Sequence, residues 1–399
     1  MRDGLKLKQT LLSGAVIAGL AVGGNAAAET LGALMPMTGD LQVYGETSLN
    51  GVIMAVEQVN DAGGVNGNTL DLVVGDTQTN PQGGVDAAQK LVSVDGATVV
   101  VGALSSGVTI PIATSVTSVN GVPQISTAST SPVITTLSDN DFLFRTVPSD
   151  ALQGVVLAEV TKQSGYNSVG VLYVNNDYGK GLAETFEANF AGDVVSLAYE
   201  PGQASYRGEL RQAAGNSGEA LVLIGYPENG ITILRQALEE GYFEKFVFTD
   251  GMKAPEIIDA IGETLNGSIG TTPQAVSDSD GAVKFVEMYE ARFGELPPKP
   301  FIDSAYDAAM IAALAIEKAG SNDPTAIRDA LRTVANPPGT EILPGEFAKA
   351  KELIAAGEDI TYVGAAGSQN FDDNGDVSGT FAFWGIENGE IVTHRMIEP

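Results

Sequence analysis

The sequence predicts an α/β protein built from two doubly wound units. Three observations carry this. Short apolar runs alternate with stretches whose apolar residues recur every three or four positions. The alternation occurs twice along the chain. The remainder supplies helices without partner strands and a hairpin, which complete the earlier units. Such βαβ series fold into parallel sheets with right-handed crossovers.

In the first unit, Thr30–Met35 reads as a strand. Glu46–Asn60 reads as a helix, with Leu49, Ile53, Val56 and Val59 on one face and Gly63-Gly64 ending it. Leu70–Val74 is a strand, Pro81–Val94 a helix opened by proline, and Thr98–Val101 a strand. Thr109–Val119 is a helix and Val122–Ile125 a strand. Pro148 and Ser149 interrupt the pattern within Phe144–Asp150.

The second unit runs helix Ala151–Gln163, strand Val169–Val174, helix Gly179–Phe190 and strand Val194–Tyr199. Helix Arg207–Ala214, strand Ala220–Gly225, helix Gly230–Glu240 and strand Phe246–Asp250 follow. The remainder holds helices Ala282–Phe293, Ser304–Ala319, Pro324–Val334 and Gly345–Ala356. It ends in strands Gly379–Gly385 and Glu390–Met396 around Asn388-Gly389, a hairpin turn signal. Returning pieces make the chain cross between lobes more than once, which builds a hinge.

Arg2, Lys6 and Lys8 precede the apolar run Leu11–Val22 and the small-residue site Ala26-Ala27-Ala28. This is the pattern of an export signal, with cleavage expected after Ala28 and a mature chain from Glu29. The run is shorter than the roughly 20 residues a membrane span needs. Acidic residues outnumber Lys and Arg by 50 to 21, for a formal net charge of −29. That charge argues against nucleic acid and anionic membranes as partners. The chain has no Cys, and at its length a core forms without disulfides.

Two hydroxyl-rich turns follow buried strands. One is Gly102-Ala103-Leu104-Ser105-Ser106-Gly107, the other Ser126-Thr127-Ala128-Ser129-Thr130-Ser131. Ligands of doubly wound sheets sit beyond the carboxyl ends of the strands. Hydroxyls there, beside a helix N-terminus, suit a carboxylate or a zwitterion. Either turn alone also reads as an ordinary cap; the pair favours binding.

Catalytic parts are scarce. His394 is the sole histidine and falls in an expected strand. Thiol and Ser-His mechanisms therefore lack their groups. No G-x-S-x-G elbow, dinucleotide fingerprint or P-loop is present. The cluster Asp372-Asp373-Asn374-Gly375-Asp376 lacks EF-hand spacing and reads as a turn before the hairpin. No metal site or cofactor is expected.

Several motifs form a recognisable set. Pro36-Met37-Thr38-Gly39 stands with Tyr44-Gly45 after the first strand. Asn60-Asp61-Ala62-Gly63-Gly64-Val65-Asn66-Gly67 follows the first helix. Further on come Asn176-Asp177-Tyr178-Gly179-Lys180-Gly181 and Ile233-Leu234-Arg235-Gln236-Ala237. With these, nearly the whole mature chain resembles the periplasmic Leu/Ile/Val-binding proteins, the type I solute-binding subunits of branched-chain amino acid ABC transporters.

The resemblance implies two Rossmann-like lobes joined by a three-crossover hinge. Residues 29–147 with about 277–362 would form one lobe, and 148–276 with about 363–399 the other. It implies that Ser106 holds the ligand carboxylate, Thr130 touches carboxylate and ammonium, and the Ala128 carbonyl accepts from the ammonium. Tyr178 and Tyr226 would close from the second lobe, and Asp250 would pair with the ammonium. Tyr44, Leu104 and Phe301 would line the side-chain pocket. Taken alone, Tyr178 reads as a helix start and Tyr226 as a surface ring. Asp250 before Gly251 reads equally as a turn or cap.

Two departures from the family stand out. A disulfide common in the first lobe is absent, its places falling on Thr79 and Ser105. Pro337–Gly367 is an insertion near the third crossover, available to contact the transporter or shape the hinge. The implied function is non-enzymatic capture of an amino acid for permease subunits in the inner membrane, by a periplasmic monomer. The alternatives are a sensor of the same fold and a carboxylate-based amide hydrolase.

Hydrogen bonds to charged groups contribute about 1.5–3 kcal/mol. Thr130→Ala should weaken amino-acid binding by that amount in calorimetry. Unaltered affinity would leave the second turn a turn and nothing more.

Overall fold

The computed structural model describes residues 29–215 and 218–399. The expected export segment lies outside these residues.

The first sheet comes from β1 (Glu29–Met35), α1 (Gln42–Asp61), β2 (Leu70–Asp76), α2 (Pro81–Ser93), β3 (Val99–Gly102), α3 (Ser106–Ile112), β4 (Gln124–Ser126), α4 (Pro132–Thr135) and β5 (Leu143–Arg145). It is wholly parallel, in the order β2-β1-β3-β4-β5. Parallel strands covered on both faces read as continuous apolar runs, and Val99, Val100 and Val101 of β3 are fully buried. Pro81 opens α2, and the Asn80 side chain caps it by accepting from the Gly83 N–H at 3.0 Å.

The second sheet comes from α5 (Asp150–Gln163), β6 (Ser168–Val174), α6 (Asp177–Asn189), β7 (Asp193–Tyr199), α7 (Arg207–Ala214), β8 (Ala220–Ile224), α8 (Pro227–Glu239), β9 (Phe246–Phe248), α9 (Pro255–Ile261) and β10 (Ile269–Pro273). The chain then returns through α10 (Asp280–Phe293), α11 (Ile302–Ala319) and α12 (Pro324–Ala335). α11 is buried along most of its length and packs on α1, α12 and β3 of the first unit. β11 (Thr340–Ile342), α13 (Phe347–Ala356), β12 (Ile360–Gly364) and β13 (Gly367–Ser368) follow. β14 (Phe381–Glu387) and β15 (Glu390–Ile397) then join the second sheet. Its order is β15-β14-β10-β9-β8-β6-β7, parallel from β6 to β10 and antiparallel beyond.

The chain passes between the units three times: after β5, after β10 and after β13. The expected two-lobed α/β architecture is the one observed. Several expectations change in detail. β5 and β10 were not anticipated, and the supposed break at Phe144–Asp150 overlaps β5. α3 begins at Ser106 and passes into a π turn at Ala113–Thr117, so Ser106 is helical. β9 stops at Phe248, and Asp250 opens a 3₁₀ turn. The segment 337–367 folds as a small sheet, β11-β12-β13, beside α13. It is pinned to α11, because Asp307 accepts from the Tyr362 hydroxyl at 2.7 Å and from the Ala365 and Ala366 N–H groups.

The acidic run before the hairpin has a structural role. Arg145 is fully buried and makes a fork-to-fork pair with Asp376, with both bonds at 2.7 Å. Its third arm donates to the Ser129 and Ser131 carbonyls, which clamps the second hydroxyl-rich turn from below. Asp372 accepts from the Asn374 and Asp376 N–H groups and so closes the turn itself. Among the described residues no cluster has the make-up of a metal site. His394 lies on β15, 3.7 Å from Glu387 and against Phe383.

Removing one partner of a buried ion pair leaves an uncompensated charge and costs about 3–5 kcal/mol. Asp376→Ala should lower the unfolding free energy by that amount in urea, followed by circular dichroism. A loss below 1 kcal/mol would mean that solvent reaches Arg145.

Candidate ligand site between the lobes

From β6 onward, the second sheet repeats the strand order of the first. In each, the strand that starts the unit lies between the second and the third. Connections leave that strand pair in opposite directions and open a crevice at the carboxyl ends. The first crevice lies beyond β1 and β3, the second beyond β6 and β8. They face one another across one narrow cavity.

Each wall is set by where a strand stops. Leu41 and Tyr44 follow β1; Leu104, Ser105 and Ser106 follow β3; Ala128 follows β4. Opposite them, Tyr178 follows β6, Tyr226 follows β8, and Asp250 with Gly251 follows β9. Phe301, just before α11, completes the lining. Ser106, Ala128, Tyr178, Tyr226 and Asp250 are thus brought together, as are Tyr44, Leu104 and Phe301. Thr130 does not line the cavity. It is fully buried, and its hydroxyl donates to Asp150 Oδ2 at 2.8 Å.

At the cavity, two hydrogen bonds fasten the lobes directly, beside the Lys299–Glu256 ion pair further out. Tyr44 donates its hydroxyl proton to the Gly251 carbonyl at 3.0 Å. The Ser105 and Tyr226 hydroxyls meet at 3.0 Å. Tyr226 also accepts from Asn176 Nδ2 and stacks on Tyr178 with ring centroids 5.6 Å apart. Within the second lobe, a Cβ at Gly251 would meet the Gly225 carbonyl oxygen at 2.4 Å, so glycine lets the turns after β8 and β9 pack together. The cavity enclosed is about 20 Å³, room for about one water. A larger guest enters only when the lobes part.

Asp250 forms the acidic wall. Its Oδ1 accepts from Gln153 Nε2 at 2.8 Å and from the Tyr178 hydroxyl at 3.0 Å. Burial pushes its carboxyl up to about 6, against the opposing pull of those donors. Asp150, fully buried at the start of α5, is also driven upward, by burial and then by the Asp250 charge. Asp150 Oδ1 and Gln153 Oε1 have no hydrogen-bond partner among the described residues. Neither carboxylate has a Lys or Arg in contact. Asp250 therefore stands in the cavity wall as a desolvated carboxyl without an ion-pair partner, while Asp150 and Gln153 lie outside that wall and Asp150 feels the Arg145 charge.

Asp150, Gln153 and Ser105 are functional candidates that the sequence reading missed. Asp150 and Gln153 stand three apart on α5, which places them on one helical face. That spacing of two polar residues, just after a Ser-initiated helix start, was the available signal. Ser105 was read as part of the first hydroxyl-rich turn and as a vacated disulfide position, without a role of its own.

This fold and this inter-lobe cavity define a two-lobed type I binding protein. Residues 30–373 match the family described as periplasmic binding protein. The chain belongs to that family, within its branched-chain amino acid binding branch. The leucine-, isoleucine-, valine-, threonine- and alanine-binding protein of Pseudomonas aeruginosa is 30% identical over 341 residues, covering 83% of this chain and 90% of that one. The chemotactic signal transduction system substrate-binding protein BasB of Halobacterium salinarum is 28% identical over 348 residues, covering 85% and 82%. The structure of the leucine-binding protein LivK of Thermotoga maritima superposes with a TM-score of 0.80 at 27% identity, covering 93% of this chain and 99% of that one. These relatives are binding proteins, which points away from an enzyme.

A carboxyl whose value is raised on folding opposes stability once it ionises. The cost is absent below about 3.8, the ordinary Asp value, and complete above about 6. Asp250→Asn should therefore stabilise the ligand-free protein at pH 7 by about 3 kcal/mol, at roughly 1.4 kcal/mol per unit. The gain should vanish at pH 4. An equal effect at both values would show that Asp250 is not a desolvated acid.

Proposed function

We propose that this protein is the periplasmic solute-binding component of an ABC transporter, exported by its N-terminal signal. It captures an amino acid, Leu, Ile, Val or similar, and delivers it to permease subunits in the inner membrane. The carrying observation is the cavity's polarity. Hydroxyls and the first turn of α3 stand on one side, and the Asp250 carboxyl, with no ion-pair partner, on the other. Ser106 and the N–H groups opening α3 suit a carboxylate. The Ala128 carbonyl, Asp250 and Asp150 suit an ammonium, with Thr130 holding Asp150 in place. Such charge-assisted bonds are about twice as strong as neutral ones. Tyr44, Leu104 and Phe301 leave an apolar corner for a branched side chain.

The lobes are proposed to divide as 29–147 with about 277–362, and 148–276 with about 363–399. Ligand makes contacts with both lobes only when they are closed, so it shifts an open–closed equilibrium. The permease partner reads the closed form, and the protein acts as a monomer without cofactor or catalysis.

Binding to the folded state raises apparent stability. Leu, Ile or Val should raise the melting temperature, while their amides and the decarboxylated amines should not. A response only to compounds lacking an amino group would overturn the ammonium assignment. Binding of an ammonium requires ionised Asp250, so binding expels a proton below about pH 6. Affinity should be level from pH 7 to 8 and about tenfold weaker at pH 5. Affinity that rises on acidification would contradict the assignment.

A second reading is a sensor that hands its signal to a receptor. The similarity to BasB supports it. A gene deletion separates the two. Lost uptake of labelled leucine with intact taxis supports transport, and the reverse supports sensing.

A further inference from the structure

A larger chamber lies on the far side of Phe301. It has a volume of about 300 Å³, at the lower end of small-molecule sites. Phe301 belongs to both linings and adopts a left-handed backbone, φ 71°, at the head of α11. Phe285, Leu296 and Pro300 supply apolar wall. The remaining wall comes from the second and third crossovers, through Gln274 and Ala365. Three charged side chains line it: Lys299 is paired with Glu256 of α9, and neither the cavity chemistry above nor the fold accounts for the other two.

Those charges are Lys253 and Asp303. Lys253 comes from the turn after β9, and Asp303 from the first turn of α11. Lys253 is 7% exposed, and its ammonium donates to Gln274 Oε1 at 2.9 Å. Asp303 Oδ1 accepts from the Ser304 N–H at 2.9 Å. The two side chains are near enough to influence each other's charge but do not form an ion pair. Burial pushes the lysine down to about 8 and the aspartate up. Each charge is therefore only partly compensated, an arrangement that an added group of opposite charge relieves.

We propose that this chamber is a second amino-acid site, at the hinge, where Lys253 takes the carboxylate, Asp303 the ammonium and the apolar wall the side chain. Opposite charges held apart on one wall complement a zwitterion better than a simple acid or amine. The lysine comes from one lobe and the aspartate from the other, so an occupant bridges them beside the crossovers. Occupancy is then coupled to closure, and the coupling to the inter-lobe cavity is reciprocal.

Equilibrium dialysis with radiolabelled L-leucine, carried to millimolar concentration on the full mature protein, tests this. Two leucines per chain are expected, one bound more weakly. Lys253→Met and Asp303→Asn should each remove the weaker one and leave the other within twofold. Asp250→Asn should do the converse. One leucine per chain, unaffected by Lys253→Met and Asp303→Asn, overturns the hinge site. One leucine lost in those two variants but kept in Asp250→Asn supports it and overturns the inter-lobe reading instead. Circular dichroism confirms that each variant is folded.

Discussion

The desolvated carboxylate of Asp250 is the constraint on which the site's behaviour turns. It sits at the end of β9, in contact with two donors and no cation, across from a wall of hydroxyls. A buried ion left half-paired is costly, whereas the same ion given a hydrogen-bonded counter-ion is not. Closure without ligand is therefore opposed and closure on a zwitterion is favoured. The second carboxyl, Asp150, sharpens that contrast, because two acids in one dry space cannot both ionise cheaply.

The duplicated strand order explains why such a site arises at all. Each sheet has one crevice fixed by its topology, and the three crossovers set those crevices face to face. Tyr44 and Tyr178 then occupy corresponding places after the first strand of each unit. Ser105 and Tyr226 do so after the third, and Ala128 and Asp250 after the fourth. The pairs Tyr44–Gly251 and Ser105–Tyr226 close the seam. Arg145 anchors the turn that carries Ala128 by binding its carbonyls from beneath, and is itself neutralised by Asp376 near the third crossover. The ligand wall and the hinge thus share one ion pair.

Much of this was legible in the chain. Long strands such as Ser168–Val174 announce themselves by buried apolar runs, and helices such as Pro227–Glu239 by period and proline. β5 and β10 did not, for a physical reason. β5 has three residues, and β10 carries Thr271, Thr272 and Pro273, which read as turn formers until β9 and β14 pair with them. At the site, residues that follow strand ends were found, the two hydroxyl-rich turns from the strands themselves and Tyr178, Tyr226 and Asp250 through the family resemblance. Those that act from a helix face were not: Asp150 looks like an ordinary first-turn acid until the tertiary fold brings Asp250 beside it. Thr130 was placed in the right turn, but nothing local reveals that its hydroxyl points to Asp150.

The most direct test is a crystal structure of the complex with whichever amino acid raises the melting temperature most. The account predicts a closed protein, with the ligand ammonium within hydrogen-bonding distance of the Asp250 carboxylate and the Ala128 carbonyl. The ligand carboxylate should lie against Ser106 and the start of α3. A ligand bound with its carboxylate toward Asp250, or with its amino group in solvent, would contradict it.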